Sequence, residues 1–142
     1  MQTNSSENAV PTVVVCGSIH LDTLVKVDSV PSDGGTLIVD DGVNSLGGKG
    51  ANQAVAIAYD EVRAVMAGTV GEDRAADFVT DQLHSHGVEV HSIRTSWDFP
   101  TGSAFIATNR QGRPVIFVQR GADALTDPTD FTDEIAAADI VL

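Results

Sequence analysis

The chain has 142 residues, 42% of them hydrophobic, and carries 20 acidic against 8 basic side chains, a formal net charge of −12. That length and apolar content support one domain with a real core and exclude a disordered chain. The charge excludes nucleic acid held by a basic face and attachment to an anionic membrane surface.

The longest apolar runs are a few residues, such as Val13-Val14-Val15-Cys16, too short for a transmembrane helix. The polar N-terminus carries no secretory signal, so a cytoplasmic protein is expected. Lysine occurs only at Lys26 and Lys49. A surface rich in Asp and poor in Lys suits a high-salt cytoplasm, where self-repulsion is screened. Cys16 is the single cysteine, so no internal disulfide is possible; it reads as a small buried hydrophobe.

Residues 1–10 read as a disordered tail, with the folded portion at 11–142. Thr12–Cys16 is a β-branched run ending at Gly17 and predicts a buried parallel strand. Thr23–Val27 and Thr36–Val43 predict two exposed strands separated by the turn cluster Val30-Pro31-Ser32-Asp33-Gly34-Gly35. A helix is predicted from Gly48 to Tyr59, then a turn at Asp60-Glu61 and a short strand at Arg63–Ala67. Asp73 is the expected N-cap of a helix through His86, with Ala75, Ala76, Val79 and Leu83 as its apolar stripe and Gly87 as its stop. Val88–Ile93 predicts another strand. Gly102–Asn109 and Pro114–Gln119 predict a hairpin turning at Arg110-Gln111-Gly112-Arg113. Pro128–Ala137 predicts a short helix capped by Thr126 or Asp127, and Asp139–Leu142 a further buried strand.

Strands alternating with helices imply an α/β body with a mostly parallel sheet. The extended pairs at 23–43 and 102–119 are too polar for its centre and are expected to form a small second sheet. Such a sheet could cover a ligand at the carboxyl ends of the main strands.

The segment Gly47-Gly48-Lys49-Gly50-Ala51-Asn52-Gln53 runs straight into the helical pattern. A glycine turn opening a helix offers backbone N–H groups and a positive dipole end to an oxygen-rich ligand. Lys49 and Asn52 can point at the same ligand. It is not a nucleotide-binding P-loop, because Gly50 rather than Ser or Thr follows Lys49. It also lacks the last glycine of the dinucleotide fingerprint. A tight turn with no ligand is the competing reading. Asp22, in Gly17-Ser18-Ile19-His20-Leu21-Asp22, is placed after the first strand on the ligand side. Its carboxylate can accept from vicinal hydroxyls, or it can cap its own turn. His84, His86 and His91 read as surface residues rather than metal ligands, since i and i+2 do not share a helix face. Trp97 and Phe99 before Pro100 read as loop packing or as cover for a partner.

Four pieces in order resemble the ribokinase-like carbohydrate kinases of the phosphofructokinase-B type. They are Gly-Ser-Ile-His-Leu-Asp at 17–22, Leu-Gly-Gly-Lys-Gly-Ala-Asn-Gln-Ala at 46–54, Gly-Thr-Val-Gly-Glu-Asp at 68–73, and the hairpin from Thr101-Gly102 to Gly121-Ala122-Asp123. The Gly-Gly-Lys-Gly-Ala-Asn-Gln form is most similar to the ribokinase branch. The resemblance implies a three-layer α/β body with a β-sheet lid, and transfer of the γ-phosphate of ATP to a sugar hydroxymethyl group, with D-ribose as the expected sugar. It implies Mg2+ and a monovalent cation such as K+ as helpers, and pairing of two copies through the lid strands. It assigns sugar contacts to His20, Asp22, Gly48, Lys49 and Asn52. Members of the family usually have Asn where this chain has His20, and an imidazole can replace only part of an amide's hydrogen bonding. The family's ATP site, cation loop and catalytic base belong to a second half not recognisable in these residues. The chain is therefore expected to be the sugar-binding N-terminal portion, without catalytic, cofactor-binding or metal residues of its own. The other reading is a non-catalytic sugar-binding or lid-mediated interaction module.

Overall fold

A computed structural model describes residues 10–142. The expected tail therefore lies outside the described residues, apart from the exposed Val10. In chain order the elements are β1 (Thr12–Cys16), β2 (His20–Lys26), β3 (Gly42–Gly47), α1 (Lys49–Tyr59), β4 (Arg63–Gly71) and α2 (Arg74–Ser85). There follow β5 (Ile93–Ser96), β6 (Gly102–Thr108), β7 (Pro114–Gln119), α3 (Thr132–Ala137) and β8 (Ile140–Val141).

The main sheet has the order β5-β4-β1-β8 and is parallel throughout. Strand alternation divides its residues between two faces. Val13, Val15, Ala64 and Met66 pack with Ala51 and Ala54 of α1 and Val79 and Leu83 of α2. Val14, Val65 and Ala67 pack on the opposite side against Phe131, with Ile135 of α3 beside it. This sandwich is the expected three-layer body, and it explains why β1 is apolar at consecutive positions. Each fully buried Val, Leu, Met or Phe among them contributes about 1.5–3 kcal/mol. Half-buried Cys16 joins the α3 side. Burial first, then the nearby Asp127 carboxylate, raises its thiol pKa, so it is no reactive thiolate.

The second sheet has the order β3-β2-β6-β7. β2 pairs antiparallel with β3 and parallel with β6, and β6 and β7 form the expected hairpin. The sheet's strand boundaries differ from the expectation. Residues 36–39 are not a strand; Val39 packs instead on Val25, Val27 and Ala107. The pairing strand lies later, at Gly42–Gly47, because its backbone meets β2 from His20 to Val25. Asp22 accordingly sits inside β2 and not in a loop after β1.

Two body segments also shift. Strand pairing at 88–93 reduces to one bridge, Glu89 with Val65. A turn follows, and β5 proper begins at Ile93. Residues 128–137 form a 3-10 turn capped by Asp127 and then α3. The body helices follow expectation. Asp73 caps α2 by accepting from the Ala76 N–H at 2.9 Å, and Gly87 ends it with φ of 83°.

Asp73 also ties the α2 end to the start of β6. Its Oδ2 accepts from the Thr101 N–H at 2.8 Å, and its Oδ1 from the Thr101 hydroxyl at 2.7 Å. The Thr101 hydroxyl in turn accepts from the Gly71 N–H at 3.0 Å. Burial alone would raise the Asp73 pKa. The donors from Thr101 and Ala76 outweigh it and hold the carboxyl below its ordinary range. No helix among the described residues is long and apolar enough to cross a membrane.

Candidate functional site

The glycine turn and β2 meet where β3 ends. His20 pairs with Gly47, and Asp22 is two residues further along the same face of β2. The Asp22 carboxylate lies over Gly47, and a Cβ at that position would collide with it. Gly48 has φ of 92°, a conformation that disfavours side chains. A Cβ on it would also strike the Ser18 carbonyl. Gly50 packs directly on Gly17, which brings α1 against the end of β1. The turn is thus built to lay a helix start beside Asp22.

Oδ1 of Asp22 is the one buried side-chain oxygen or nitrogen without a hydrogen-bond partner among the described residues. Burial raises the Asp22 pKa, and the nearby His20 opposes that only in part. A buried carboxylate oxygen left unpaired costs about 1–3 kcal/mol, a cost that hydroxyl donors from a ligand would remove.

The helix start is less open than the sequence suggests. Ser18 takes two of its N–H groups: its hydroxyl accepts from Lys49 N–H at 3.1 Å and its carbonyl from Ala51 N–H at 3.1 Å. With those donors occupied and a carboxylate over Gly47, the turn does not fit a triphosphate. It remains suited to a neutral, hydroxyl-bearing ligand. The Lys49 and Asn52 side chains are exposed and, at i and i+3, adjoin on the surface of α1.

His20 has a partner that sequence reasoning missed. Its Nε2 is 3.1 Å from Oδ2 of Asp123, with the two side chains only 12% and 11% exposed. The Asp123 Oδ1 accepts from the Gly121 N–H at 2.8 Å. Burial would raise the Asp123 pKa, but the Gly121 and His20 donors prevail and lower it. Gly102 gives the pair room, since a Cβ there would meet both the imidazole and the carboxylate. Gly121-Ala122-Asp123 was visible as a motif, but no local pattern reveals a partner 103 residues away.

The structure therefore groups His20, Asp22, Gly48 and Lys49 around one turn, with Asn52 a helical turn further along. Two sizeable concavities lie elsewhere. One of about 700 Å³ borders Gly71, Asp73, Asp77, Asp81 and Ile93. The other, about 800 Å³, borders Leu24, Val27, Leu37, Val39 and Val43. Neither is lined by Asp22, Lys49 or Asn52. The ring nitrogen Nδ1 of His86 bonds to the Gln82 carbonyl at 2.7 Å, and His91 lies 3.5 Å from Glu89. Among the described residues no group of three or more His, Cys, Asp and Glu is placed to hold a metal ion.

Comparison with known proteins agrees with this architecture. The chain is 33% identical over 134 residues to a ribokinase of Staphylococcus aureus, covering 92% of this chain and 44% of that protein. The structure of Arabidopsis thaliana ribokinase complexed with ribose and ATP superposes with a TM-score of 0.69 at 33% identity, covering 80% of this chain and 37% of that one. Giardia lamblia ribokinase superposes with a TM-score of 0.79 at 30% identity, over 89% of this chain and 39% of that one. The chain thus spans less than half the length of these relatives. A family model, pfkB family carbohydrate kinase, matches residues 10–142. With that match over every described residue, the chain belongs to the pfkB family of carbohydrate kinases.

Proposed function

We propose that this chain supplies the sugar-binding half of an ATP-dependent carbohydrate kinase, with D-ribose as the sugar and its hydroxymethyl group as the phosphoryl acceptor. The observation that carries the reading is the unpartnered, buried Oδ1 of Asp22 beside the start of α1. An ionised carboxylate accepts hydrogen bonds only, so the complement of this position is a donor such as a sugar hydroxyl. Gly48 and Lys49 would line the sugar, Asn52 would bind a further hydroxyl, and His20 would stand beside them. The Arabidopsis relative that holds ribose and ATP supports the substrate pair. ATP, Mg2+ and K+ would be held by elements outside these residues, as would the base that activates the acceptor hydroxyl. The second sheet would close over the sugar and could pair with a second copy.

Titration calorimetry with D-ribose tests this reading. In a completed kinase, Asp22→Ala should weaken binding by about 1.5–3 kcal/mol, the cost of losing hydrogen bonds to a charged acceptor. Unchanged affinity would remove Asp22 from the site. An ADP-release assay on residues 1–142 alone, with ribose, ATP, Mg2+ and K+, should show no turnover, because no phosphate cradle or base is recognisable among the described residues.

A further inference from the structure

The proposed sugar contacts use Asp22, while the neighbouring His20 is tied to a second carboxylate, Asp123. Oδ1 of Asp123 is committed to the Gly121 N–H, so Oδ2 faces Nε2 of His20. An ionised carboxylate only accepts, so Nε2 must carry the proton. The ring's Cδ2–Nε2 edge lies against Gly102, and Nδ1 is the vertex opposite that edge. Among the described residues Nδ1 makes no hydrogen bond, and Asp22 Oδ1 is the only unpartnered buried side-chain nitrogen or oxygen. Nδ1 therefore reaches the open side. His20 and Asp22 share one face of β2.

Resting on the sugar-binding reading, we propose that Asp123 is a positioning residue for the sugar: it fixes the neutral form of the His20 ring as the Nε2–H tautomer, so that in this form Nδ1 presents an acceptor on the Asp22 side of β2. The strand then offers two acceptors side by side, and the ligand that matches them is a neutral polyol donating from two hydroxyls. A phosphate dianion, with one hydroxyl donor at most and a charge of the same sign as Asp22, would be disfavoured there.

Two substitutions separate this role from mere packing. In Asp123→Asn, the Gly121 N–H keeps the amide oxygen on its side, so the amide NH2 faces Nε2. That geometry converts Nε2 to an acceptor and moves the ring proton to Nδ1. In Asp123→Ala, neither tautomer is favoured. Long-range 15N NMR of the His20 ring across a pH series, in the whole protein, reads the tautomer of the neutral form directly. Calorimetry with D-ribose reads the consequence. The expected result is an Nε2–H ring in the unsubstituted protein, an Nδ1–H ring in Asp123→Asn, and a mixture in Asp123→Ala. Ribose affinity should fall roughly tenfold in both variants, as for the loss of one hydrogen bond. If Asp22→Ala weakens ribose binding as predicted while both Asp123 variants keep the tautomer and the affinity, the positioning role is overturned and the sugar site stands. If the unsubstituted protein binds no ribose, the sugar reading fails, and this proposal with it. Should Asp123→Ala not fold, the near-isosteric Asp123→Asn alone decides by its ring proton.

Discussion

At the scale of single residues, the site holds a carboxylate that the unliganded fold disfavours. Asp22 has its pKa raised by burial, so the folded protein holds its proton more tightly than the unfolded chain does. The linkage sign follows: the protonated form incurs no penalty below the ordinary Asp value, and stability declines as pH rises through the raised value. Asp22→Asn should therefore stabilise the sugar-free protein at neutral pH by about 1 kcal/mol, part of the cost of an unpaired buried group. The gain should vanish at acid pH, and ribose binding should be weakened. Calorimetric melts at both pH values check this; an Asn variant less stable than the parent at neutral pH would contradict it. Asp22 stood out in the sequence as a carboxylate beyond a strand and a glycine, but its place inside β2 was not legible, because that strand is defined by its pairing with β3 and β6. Nor was the partner of His20, since only tertiary pairing of β2 with β6 brings Asp123 near.

At the scale of elements, helices were easier to read than strands. α1 and α2 announce themselves through their starts and apolar spacing, which are local signals. β3 has two glycines and an exposed first half, so little in its own residues marks it as a strand. Leu37, Ile38 and Val39 look more strand-like, yet they lie over the second sheet without joining it. Pairing with β2 decided the matter, as tertiary context does for β-structure. The α2 cap carries a prediction. Asp73→Ala removes a cap, worth about 0.5–2 kcal/mol, and the two hydrogen bonds from Thr101. A loss of about 2–3 kcal/mol is expected by denaturant titration. Because the Asp73 pKa is lowered in the fold, its contribution is present above the ordinary Asp value and is lost as pH falls through the lowered one. The parent and Asp73→Ala should thus converge in stability in acid. A difference that persists there would mean that the carboxylate charge is not what matters.

At the scale of the whole molecule, β8 forms an edge of the main sheet beside β1. Ile140, Val141 and Leu142 are 51%, 43% and 54% exposed. An uncovered apolar edge invites pairing with another chain. A polypeptide of residues 1–142 should self-associate, and Ile140→Lys with Leu142→Lys should return it toward monomer in light scattering. Association unaffected by these lysines would point elsewhere, the second sheet first. The parallel pairing of β2 with β6 has another consequence, one of timing. Residues 20–26 can find residues 102–108 only after the intervening chain has folded back across the body. Such long-range closures come late, after hairpins and nearer pairings have formed. The β6–β7 hairpin can close early, while Asp22 and His20 wait for a strand made some eighty residues later. During synthesis or refolding, the candidate site is therefore a product of completed folding, and the sugar proposed for it would meet a formed site only once the second sheet has closed.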